Sequence, residues 1–572
     1  MERGGKMQNK KRIFIPFLSF SLVYFSLLCV SVYSQQTQPS ELYKKLKALP
    51  GVVDVNQMRG GRGGTRESYD ITFEQPLDHQ NPKGPKFRQH VFISHVDYNK
   101  PVLLGTEGYA ARGVSGGELQ QMLGGNQVTV EHRFFGRSVP DPVQWEYLTV
   151  KQSADDLHAV VTAMKKLYTG KWVSTGASKG GQTALFYKCY YPDDVDATVA
   201  YVAPVNVTQE DPRINRFIET VGDEATRKKI KDFQIAMFKR EDEILPLIKA
   251  EAERRRWTFK MGLSEAHEYG VLEYPYAFWQ YGTDANTIPS PDASAETLTA
   301  HYNRVGTLHF YSDQGKKQFE PFLYQAFTEI GYYNYDITDF KAYMKTLKNP
   351  TNLSICPDGA KIVFNPATMF FINNFLQYKA NHVIYIYGGL DAWAATQMQL
   401  IGRTDAIKIV VPESHHGTGV RSFTPEQRDL FFVNLERWLD MKLTRPAETA
   451  AGPQANNTPA TTSVTPTIRE LDTVKWAEGK AMMGSIAAAI RAYHAERGPN
   501  GTPPTAIVGT GPTHLGFTSE DLKGKYFQAG DFSITLSSMD PLTFTVTCTP
   551  TGDNKPSNPP TMTLNQSGVW TP

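Results

Sequence analysis

The segment Trp172-Val-Ser-Thr-Gly-Ala-Ser178-Lys-Gly-Gly181 joins a short β-branched run to a stretch of helical character, Thr183–Tyr190. Its centre fits the pattern Gly-x-Ser-x-Gly, in which a strand turns sharply into a helix and exposes the serine hydroxyl. Such a turn brings backbone segments so close together that glycine, which has no Cβ, is favoured on both sides of the serine. The pattern therefore predicts that Ser178 is a nucleophile. The alternative is a glycine-rich helix N-terminus in which Ser178 only caps the helix.

Further short apolar runs precede and follow this segment. They are Pro101–Gly105, Gln127–Glu131, Ala197–Val202, His382–Gly388 and Ala406–Val411. Nearly continuous apolar runs are typical of strands that are buried on both faces of a parallel sheet. Helical patterns lie between some of them, for example over Ser153–Tyr168. This alternation of strands and helices predicts a doubly wound α/β domain.

The alternation stops between about residues 205 and 381. Long charged stretches of helical character lie there, together with the aromatic segment Glu273-Tyr-Pro-Tyr-Ala-Phe-Trp279. We interpret this region as an inserted, mainly helical cap over the carboxyl edge of the sheet, which is where such folds bind their ligands.

A serine nucleophile needs a base, and the base needs an acid that orients it. In hydrolases with this serine turn, the acid and then the histidine follow the serine along the chain. Asp391 comes just after one predicted strand, and the pair His415-His416 comes just after the next. The carboxyl ends of parallel strands share one edge of a sheet, so these residues can converge on Ser178. When each residue is considered alone, the alternative is that Asp391 is an ordinary turn residue and that the histidine pair belongs to a surface loop.

Other polar groups are expected at the same edge. The backbone amides of Lys179 and of the Gly108 region are the expected donors to an oxyanion. Glu107 and Glu131 end neighbouring predicted strands, and a carboxylate buried there requires a cation. The α-ammonium group of a peptide is one candidate, and Arg133 is the competing partner in a purely structural ion pair.

Composition excludes several classes of function. The 572 residues include 60 Lys and Arg against 58 Asp and Glu, so the net charge of +2 gives no electrostatic reason to expect nucleic-acid binding. Four cysteines in this length exclude a disulfide-built scaffold. The sequence contains no recognisable metal-binding cluster or phosphate-binding loop, so we expect no metal and no cofactor.

The amino terminus is predicted to be an export signal. Basic residues precede an apolar run over Ile13–Val32, and Val32 with Ser34 predicts cleavage before Gln35. Residues 1–34 would then be a signal peptide of a secreted, periplasmic or extracellular protein with no membrane contact after cleavage. The rival interpretation is an uncleaved membrane anchor, because the run is about long enough to span a bilayer.

The remaining chain divides at a linker rich in Ala, Thr, Pro and Asn. Residues 35–445 would form the α/β domain, 446–467 the linker and 468–572 a small α+β module. The sequence of the module predicts a helix over Ile468–Arg497 that is followed by short strands with alternating apolar and polar residues. This layout resembles the headpiece of type IV pilin-like proteins, and the module is a candidate for binding a partner of unknown kind.

Several motifs together resemble one peptidase family. Glu131-His-Arg-Phe-Phe-Gly-Arg-Ser138, Asp155-Asp156 and Gly176-Ala-Ser-Lys-Gly-Gly181 look like motifs of the secreted bacterial tripeptidyl aminopeptidases. These are serine peptidases distantly related to Pro-X carboxypeptidase and dipeptidyl peptidase II. The resemblance covers about Leu46 to Leu443. It implies an α/β-hydrolase domain with a helical lid, and removal of tripeptides from free amino termini, often after proline.

The resemblance also implies roles for individual residues. Ser178 matches the nucleophile and Asp391 the acid. The family loop Pro-Gly-Gly-x-His aligns Pro412 with His416, whereas the loop of the distant relatives would select His415 instead. We favour His416 as the base.

The sequence thus predicts a secreted serine exopeptidase that acts on peptides with a free amino terminus. Trp279 and the neighbouring aromatic residues of the cap are candidates to contact a substrate proline ring, with simple core packing as the alternative. A lipase or esterase is the nearest rival, since its triad chemistry is the same. The other rival is a non-catalytic surface-binding protein on the same fold.

Overall fold

The computed structural model describes residues 39–58, 67–114, 117–445 and, with short gaps, 475–571. The predicted signal peptide (1–34) and linker (446–467) lie outside these residues. Within the described part of the chain, no helix combines the length and the apolar character needed to cross a membrane.

A nine-stranded sheet forms the centre of the larger region. Its strands are β1 (Val52–Gln57), β2 (Ser68–Pro76), β3 (Lys86–Ser94), β4 (Val102–Thr106), β5 (Asn126–Val130), β6 (Trp172–Ala177), β7 (Ala197–Tyr201), β8 (Val383–Gly388) and β9 (Ala406–Val411). They are arranged in the order β1-β2-β3-β5-β4-β6-β7-β8-β9. The strands from β5 to β9 run parallel, and β1, β2 and β3 extend the sheet antiparallel at one side. The predicted α/β fold is confirmed, with three additional strands at one side of the sheet that the sequence patterns did not indicate.

The described residues up to 445 contain twelve α-helices, which lie before, between and after the strands along the chain. They are α1 (Glu41–Lys47), α2 (Glu118–Leu123), α3 (Val150–Met164), α4 (Lys179–Tyr190), α5 (Pro212–Ile218), α6 (Glu224–Lys239), α7 (Glu241–Arg255), α8 (Leu263–Tyr281), α9 (Ala295–Val305), α10 (Asp313–Gln325), α11 (Pro366–Tyr378) and α12 (Pro425–Leu439).

Both faces of the sheet are covered. Leu104 of β4 packs with Leu157 of α3 in one apolar cluster. Leu103 points to the opposite face and belongs to a second cluster with Phe431 of α12. Successive residues of a strand point to opposite faces, so a strand covered on both sides needs a continuous apolar run.

The helices α5 to α11 all lie between β7 and β8. The chain from 202 to 382, which the structure describes throughout, contains helices and turns and no strand. These helices form one apolar cluster with residues of the sheet region, such as Leu185 of α4 with Phe233 of α6. They constitute the helical cap.

The carboxy-terminal module contains two small sheets. One pairs β10 (Ala506–Val508) with β11 (His514–Phe517), and the other contains β12 (Phe532–Met539), β13 (Leu542–Cys548), β14 (Met562–Asn565) and β15 (Trp570–Thr571). Described helical residues between 475 and 497, including Ile486 and Ile490, pack with Phe544 and Val546 of the larger sheet.

The module differs from the sequence-based expectation in two respects. The segment Thr561–Trp570, expected to be one strand, contributes to both β14 and β15, and the pair β10–β11 was not expected. Residues 468–474 of the expected helix lie outside the described residues.

Candidate active site

Ser178 occupies a strained turn between β6 and α4. Its backbone has φ 56° and ψ −125°, a region that residues with a side chain rarely adopt. A Cβ on Gly176 would come within 2.3 Å of the carbonyl carbon of Gly180, so the turn requires glycine there. The Ser178 side chain makes no capping hydrogen bond with α4. The alternative interpretation of Ser178 as a mere helix cap is therefore wrong.

Asp391 and His416 form a hydrogen-bonded pair at the ends of neighbouring strands. Oδ2 of Asp391 lies 2.6 Å from Nδ1 of His416. The carboxylate is fully buried, and its other oxygen accepts a hydrogen bond from the Trp393 amide at 3.1 Å. Because Nδ1–H of His416 donates a hydrogen bond to the Asp391 carboxylate, Nε2 of His416 is left as an acceptor. This Nε2 is buried and has no hydrogen-bond partner in the described chain.

His415 is oriented differently from its neighbour. Its ring lies against the end of α8, where a Cβ on Gly282 would be 2.1 Å from Cδ2 of His415. Its Nδ1 accepts a hydrogen bond from the Gly417 amide at 3.3 Å. Of the two imidazoles, His416 is therefore the one that a carboxylate orients.

Ser178 and the loop that carries His416 both lie next to Gln280 of the cap helix α8. Ser178 lines a cavity beneath the cap, together with Gln280 of α8 and Trp393. The His416 amide donates to the Gln280 carbonyl at 2.9 Å, which brings the loop after β9 to this wall. The hydroxyl of Ser178 makes no hydrogen bond with His416 in this structure. Loose contacts between nucleophile and base are common in active sites without substrate.

Gly108 and Lys179 are in direct contact beside the serine. A Cβ on Gly108 would lie 2.6 Å from the carbonyl carbon of Lys179, so the two backbone segments touch. Lys179 is the first residue of α4, where backbone amides have no partner inside the helix. The predicted oxyanion donors are thus neighbours at the helix N-terminus.

The Lys179 side chain is buried among aromatic rings. Its Nζ lies 3.2 Å from Nε2 of His132 and 5.4 Å from the centre of the Phe135 ring. Nδ1 of His132 donates to the Arg133 carbonyl at 2.8 Å, so Nε2 is free to accept from Lys179. Burial lowers the pKa of Lys179 to about 7. Burial, followed by the charge of Lys179, lowers the pKa of His132 well below its usual value.

Glu107 and Glu131 do not line the cavity that contains Ser178. The Glu131 carboxylate accepts hydrogen bonds from its own loop, from the Ser138 hydroxyl at 2.6 Å and the Arg137 amide at 2.9 Å. The space that the two glutamates border measures about 10 Å³, which holds at most about one water molecule. Burial, followed by the charge of Glu131, raises the pKa of Glu107 to about 6. The predicted ammonium site at Glu107 and Glu131 therefore has no room for a peptide terminus.

Arg133 does not pair with Glu131 either. It forms a two-pronged ion pair with Asp156, with Nε 2.7 Å from Oδ2 and Nη2 2.8 Å from Oδ1. Both side chains are buried. Arg133 also donates to backbone carbonyls, including that of Tyr147 at 2.7 Å. This cluster stabilises the loop after β5, which explains its polar sequence.

Trp279 lies away from the Ser178 cavity. It lines a separate pocket of the cap, beside Arg227 and Tyr276. The reason is helical geometry, because the aromatic segment is part of α8. The residues of α8 that face the Ser178 cavity are Glu273, Ala277, Gln280 and Tyr281. Their spacing of four, three and one residues defines one face, and Trp279 points to another.

Aromatic side chains from other segments line the cavity instead. They are Tyr109, Phe310, Phe319, Phe322, Tyr332, Tyr333 and Trp393. Tyr109 lies edge-on to the rings of Phe319 and Phe322, with ring centres 6.1 and 5.7 Å away. These residues come from the cap and from the loops after β4 and β8, so no single stretch of sequence revealed them.

Glu273 is a further polar residue of this cavity. It opened the aromatic segment in the sequence, and an acid at the start of a run of aromatic residues was the signal that could have identified it. Hydroxyl groups of Tyr333 and Tyr335 each donate to its carboxylate at 2.6 Å. Burial raises the pKa of Glu273, the tyrosine hydroxyls lower it, and the result is about 7.

Comparison with known proteins identifies the family. Residues 38–473 match the model of the family described as PS-10 peptidase S37. The chain belongs to this family. It is therefore a serine peptidase that acts on peptides, as the sequence motifs predicted.

This S37 peptidase has a named relative in Streptomyces mobaraensis. It is 31% identical, over 378 residues, to a prolyl tri/tetrapeptidyl aminopeptidase of Streptomyces mobaraensis. The matched part covers 64% of this chain and 79% of the relative.

Solved structures similar to this S37 peptidase are more distant. A proline iminopeptidase of Mycobacterium smegmatis is 13% identical, with a TM-score of 0.30, and 64% of this chain and 97% of that chain are covered. A bromoperoxidase of Bacillus anthracis is 12% identical, with a TM-score of 0.29 and coverage of 64% and 99%.

Proposed function

We propose that this S37 peptidase is an exported exopeptidase that releases tripeptides from free amino termini, with a preference for proline before the cleaved bond. The observations that carry the proposal are the Asp391–His416 pair, at 2.6 Å, and a serine in a strained strand-to-helix turn of the same sheet. The name of the Streptomyces relative supports the tripeptide product and the proline preference.

The proposed mechanism uses a Ser178-His416-Asp391 triad. Nε2 of His416 accepts the proton of the Ser178 hydroxyl as Oγ attacks the scissile carbonyl carbon. Asp391 keeps the imidazole in the tautomer that leaves Nε2 basic and stabilises the imidazolium that forms. His416 then gives its proton to the departing amine, and water hydrolyses the resulting acyl-enzyme with the same histidine as base.

The oxyanion would be held by backbone amides. In this mechanism the Lys179 amide and an amide of the Gly108 region donate to the negative oxygen of the tetrahedral intermediate. Loss of one such donor typically raises the barrier by roughly 3–4 kcal/mol. The position of Lys179 at the start of α4 adds the favourable end of the helix dipole.

The proline preference is attributed to the aromatic lining of the cavity. A proline ring is apolar and rigid, so it gains from burial against aromatic faces with little loss of conformational freedom. Tyr109, Phe319 and Phe322 surround part of the space that Ser178 borders. These residues take the place that the sequence had assigned to Trp279.

A cleavage assay tests the proposal. A p-nitroanilide of a tripeptide ending in proline, with a free amino group, should release the intact tripeptide, detected by mass spectrometry. The Ser178→Ala variant is the matched control and should release none. Hydrolysis of short acyl esters without any cleavage of peptide amides would instead indicate an esterase. A folded protein that cleaves neither substrate would favour the non-catalytic surface-binding interpretation.

Export is tested separately. The proposed signal peptide predicts a mature chain beginning at Gln35, outside the cytoplasm of the producing cell. Amino-terminal sequencing of the protein from the periplasm or medium should give this residue. A chain that keeps its apolar run and remains with the membrane would contradict the proposal.

A further inference from the structure

The starting point is a buried carboxylate for which the described chain supplies no cation. The Glu273 side chain is only 9% exposed. Its carboxylate accepts hydrogen bonds from Tyr333 and Tyr335 at 2.6 Å and from Tyr311 at 3.4 Å. No Lys, Arg or His of the described residues forms an ion pair with it, although other buried acids such as Asp156 have one.

Neutral hydroxyls satisfy the hydrogen bonds of a carboxylate but not its charge. A buried ion without a counter-ion costs several kcal/mol, and proteins usually remove the charge or provide a partner. Here burial raises the pKa of Glu273 to about 7, while the tyrosine hydroxyls act in the opposite direction. The site therefore gains stability from any cation that enters and fixes the ionised form.

The location of Glu273 restricts what that cation can be. Glu273 and Ser178 line the same cavity, Glu273 from the cap and Ser178 from the sheet. A peptide whose carbonyl lies at Ser178 must place its preceding residues in this cavity. Among the described residues no group of three or more metal-binding side chains occurs, so one carboxylate among tyrosines is not a metal site of the usual kind.

We propose that Glu273 binds the α-ammonium group of the peptide substrate. The ammonium group is a monovalent cation with three hydrogen-bond donors, and the carboxylate provides the opposite charge. The inference rests on the proposed function, because it assumes a peptide that is cleaved at Ser178. It transfers to Glu273 the role that the sequence had assigned to Glu107 and Glu131.

This arrangement would explain how an exopeptidase selects the number of residues between the free amino terminus and the cleaved bond. The nucleophile lies at the start of α4 and the proposed ammonium receptor lies in α8, so only a peptide long enough to span the cavity between them contacts both. A longer segment before the scissile bond would not fit between them, and a shorter one would not reach Glu273. Because an acetylated amino terminus has no charge, it loses the interaction and leaves the carboxylate buried and unpaired.

The test compares Glu273→Gln with Glu265→Gln, a control on the same helix that does not line the cavity. Each protein is assayed with a proline-ending tripeptide p-nitroanilide in free-amino and amino-acetylated form. The wild type and the control should prefer the free amine. Glu273→Gln should lose about 100-fold in kcat/KM for the free amine and change little for the acetylated substrate.

Two further measurements keep the outcome unambiguous. Labelling of Ser178 by a fluorophosphonate should proceed at the same rate in Glu273→Gln as in the wild type, which shows that the variant is folded and its nucleophile intact. Glu273→Asp keeps the charge and should recover part of the preference for the free amine. Equal losses for both substrates, or no loss for either, would overturn the assignment. A wild type that neither labels nor cleaves peptides would instead overturn the proposed function, and this inference with it.

Discussion

Nζ of Lys179 lies 3.2 Å from Nε2 of His132. Lys179 directly follows Ser178, the residue proposed as the nucleophile. No acidic side chain of the described chain forms an ion pair with this ammonium group, and the lysine is only 3% exposed. The pair therefore consists of a buried amine, whose pKa burial lowers to about 7, and an imidazole whose pKa burial lowers well below its usual value. Burial thus destabilises the charged form of the lysine that follows Ser178 in the chain.

The first prediction concerns stability and pH in Lys179→Met. The folded pKa of Lys179, about 7, is below the unfolded value of 10.5, so the unfolded chain binds more protons between these pH values. Wild-type stability should therefore contain a contribution that rises from pH 7 to pH 10. Lys179→Met removes it, and its gain in Tm should be largest at or below pH 7 and shrink towards pH 10.

The exposed Lys166 provides the control for that measurement. Lys166→Met should shift Tm by a small amount that does not depend on pH. A Lys179→Met variant whose Tm difference from the wild type is constant from pH 6 to pH 10 would contradict a buried, destabilised ammonium group.

The second prediction separates the two histidines. His416→Gln removes the imidazole that Asp391 orients, and we expect kcat to fall by about 1000-fold or more. His415→Gln, the adjacent control, should keep kcat within a few-fold of the wild type. Asp391→Asn should also lower kcat strongly, because the amide would favour the wrong tautomer of His416. A larger loss in His415→Gln than in His416→Gln would reverse the assignment of the base.

The third prediction concerns the two glutamates that the sequence suggested as an ammonium clamp. Glu131→Gln presents an amide NH₂ to donors that need an acceptor, among them the Ser138 hydroxyl. It should lower the free energy of unfolding by about 1–3 kcal/mol. Glu107→Gln should cost little. Neither variant should change the ratio of kcat/KM between free and acetylated substrates. A change in that ratio would support the ammonium site at Glu107 and Glu131 that the sequence suggested.

The fourth prediction is a pH profile. Glu273, with a pKa of about 7 set by burial against three tyrosine hydroxyls, must be ionised. The peptide amino group, with a pKa near about 8, must be protonated. The kcat/KM for a free-amino substrate should therefore rise towards pH 7 and fall above pH 8. The fall should be absent for the acetylated substrate and in Glu273→Gln, and identical profiles would speak against an ammonium–carboxylate contact.

Much of the sheet could be predicted because its strands are buried on both faces. Runs such as Ala197–Val202 and His382–Gly388 are almost continuously apolar, and the structure places the buried strands β7 and β8 there. The edge strand β1 was not predicted, because most of its residues are exposed or half-buried and its sequence lacks a continuous apolar run.

The site was predictable where local backbone geometry dictates residue type. The turn at Ser178 requires Gly176, and a strand end followed by Asp391 or His416 is visible in the sequence. The residues that line the substrate cavity were not predictable in this way. Whether Trp279 or Glu273 faces the cavity depends on the rotation of α8, which is decided by packing across the cap.

Three expectations stay predictions: the export signal, the linker and a partner for the carboxy-terminal module. The first two lie outside the described residues. The module nevertheless has its own apolar core, in which Trp476 packs against Phe527. Expression of residues 468–572 alone would show by its Tm whether this core suffices for independent folding.

The central claim is that Ser178 is a nucleophile activated by His416. Labelling with a fluorophosphonate, followed by peptide mass spectrometry, tests it most directly. The account predicts one modified residue, Ser178, with labelling abolished in Ser178→Ala, strongly slowed in His416→Gln and unchanged in His415→Gln. An unlabelled Ser178 in folded, wild-type protein, or labelling that does not depend on His416, would contradict it.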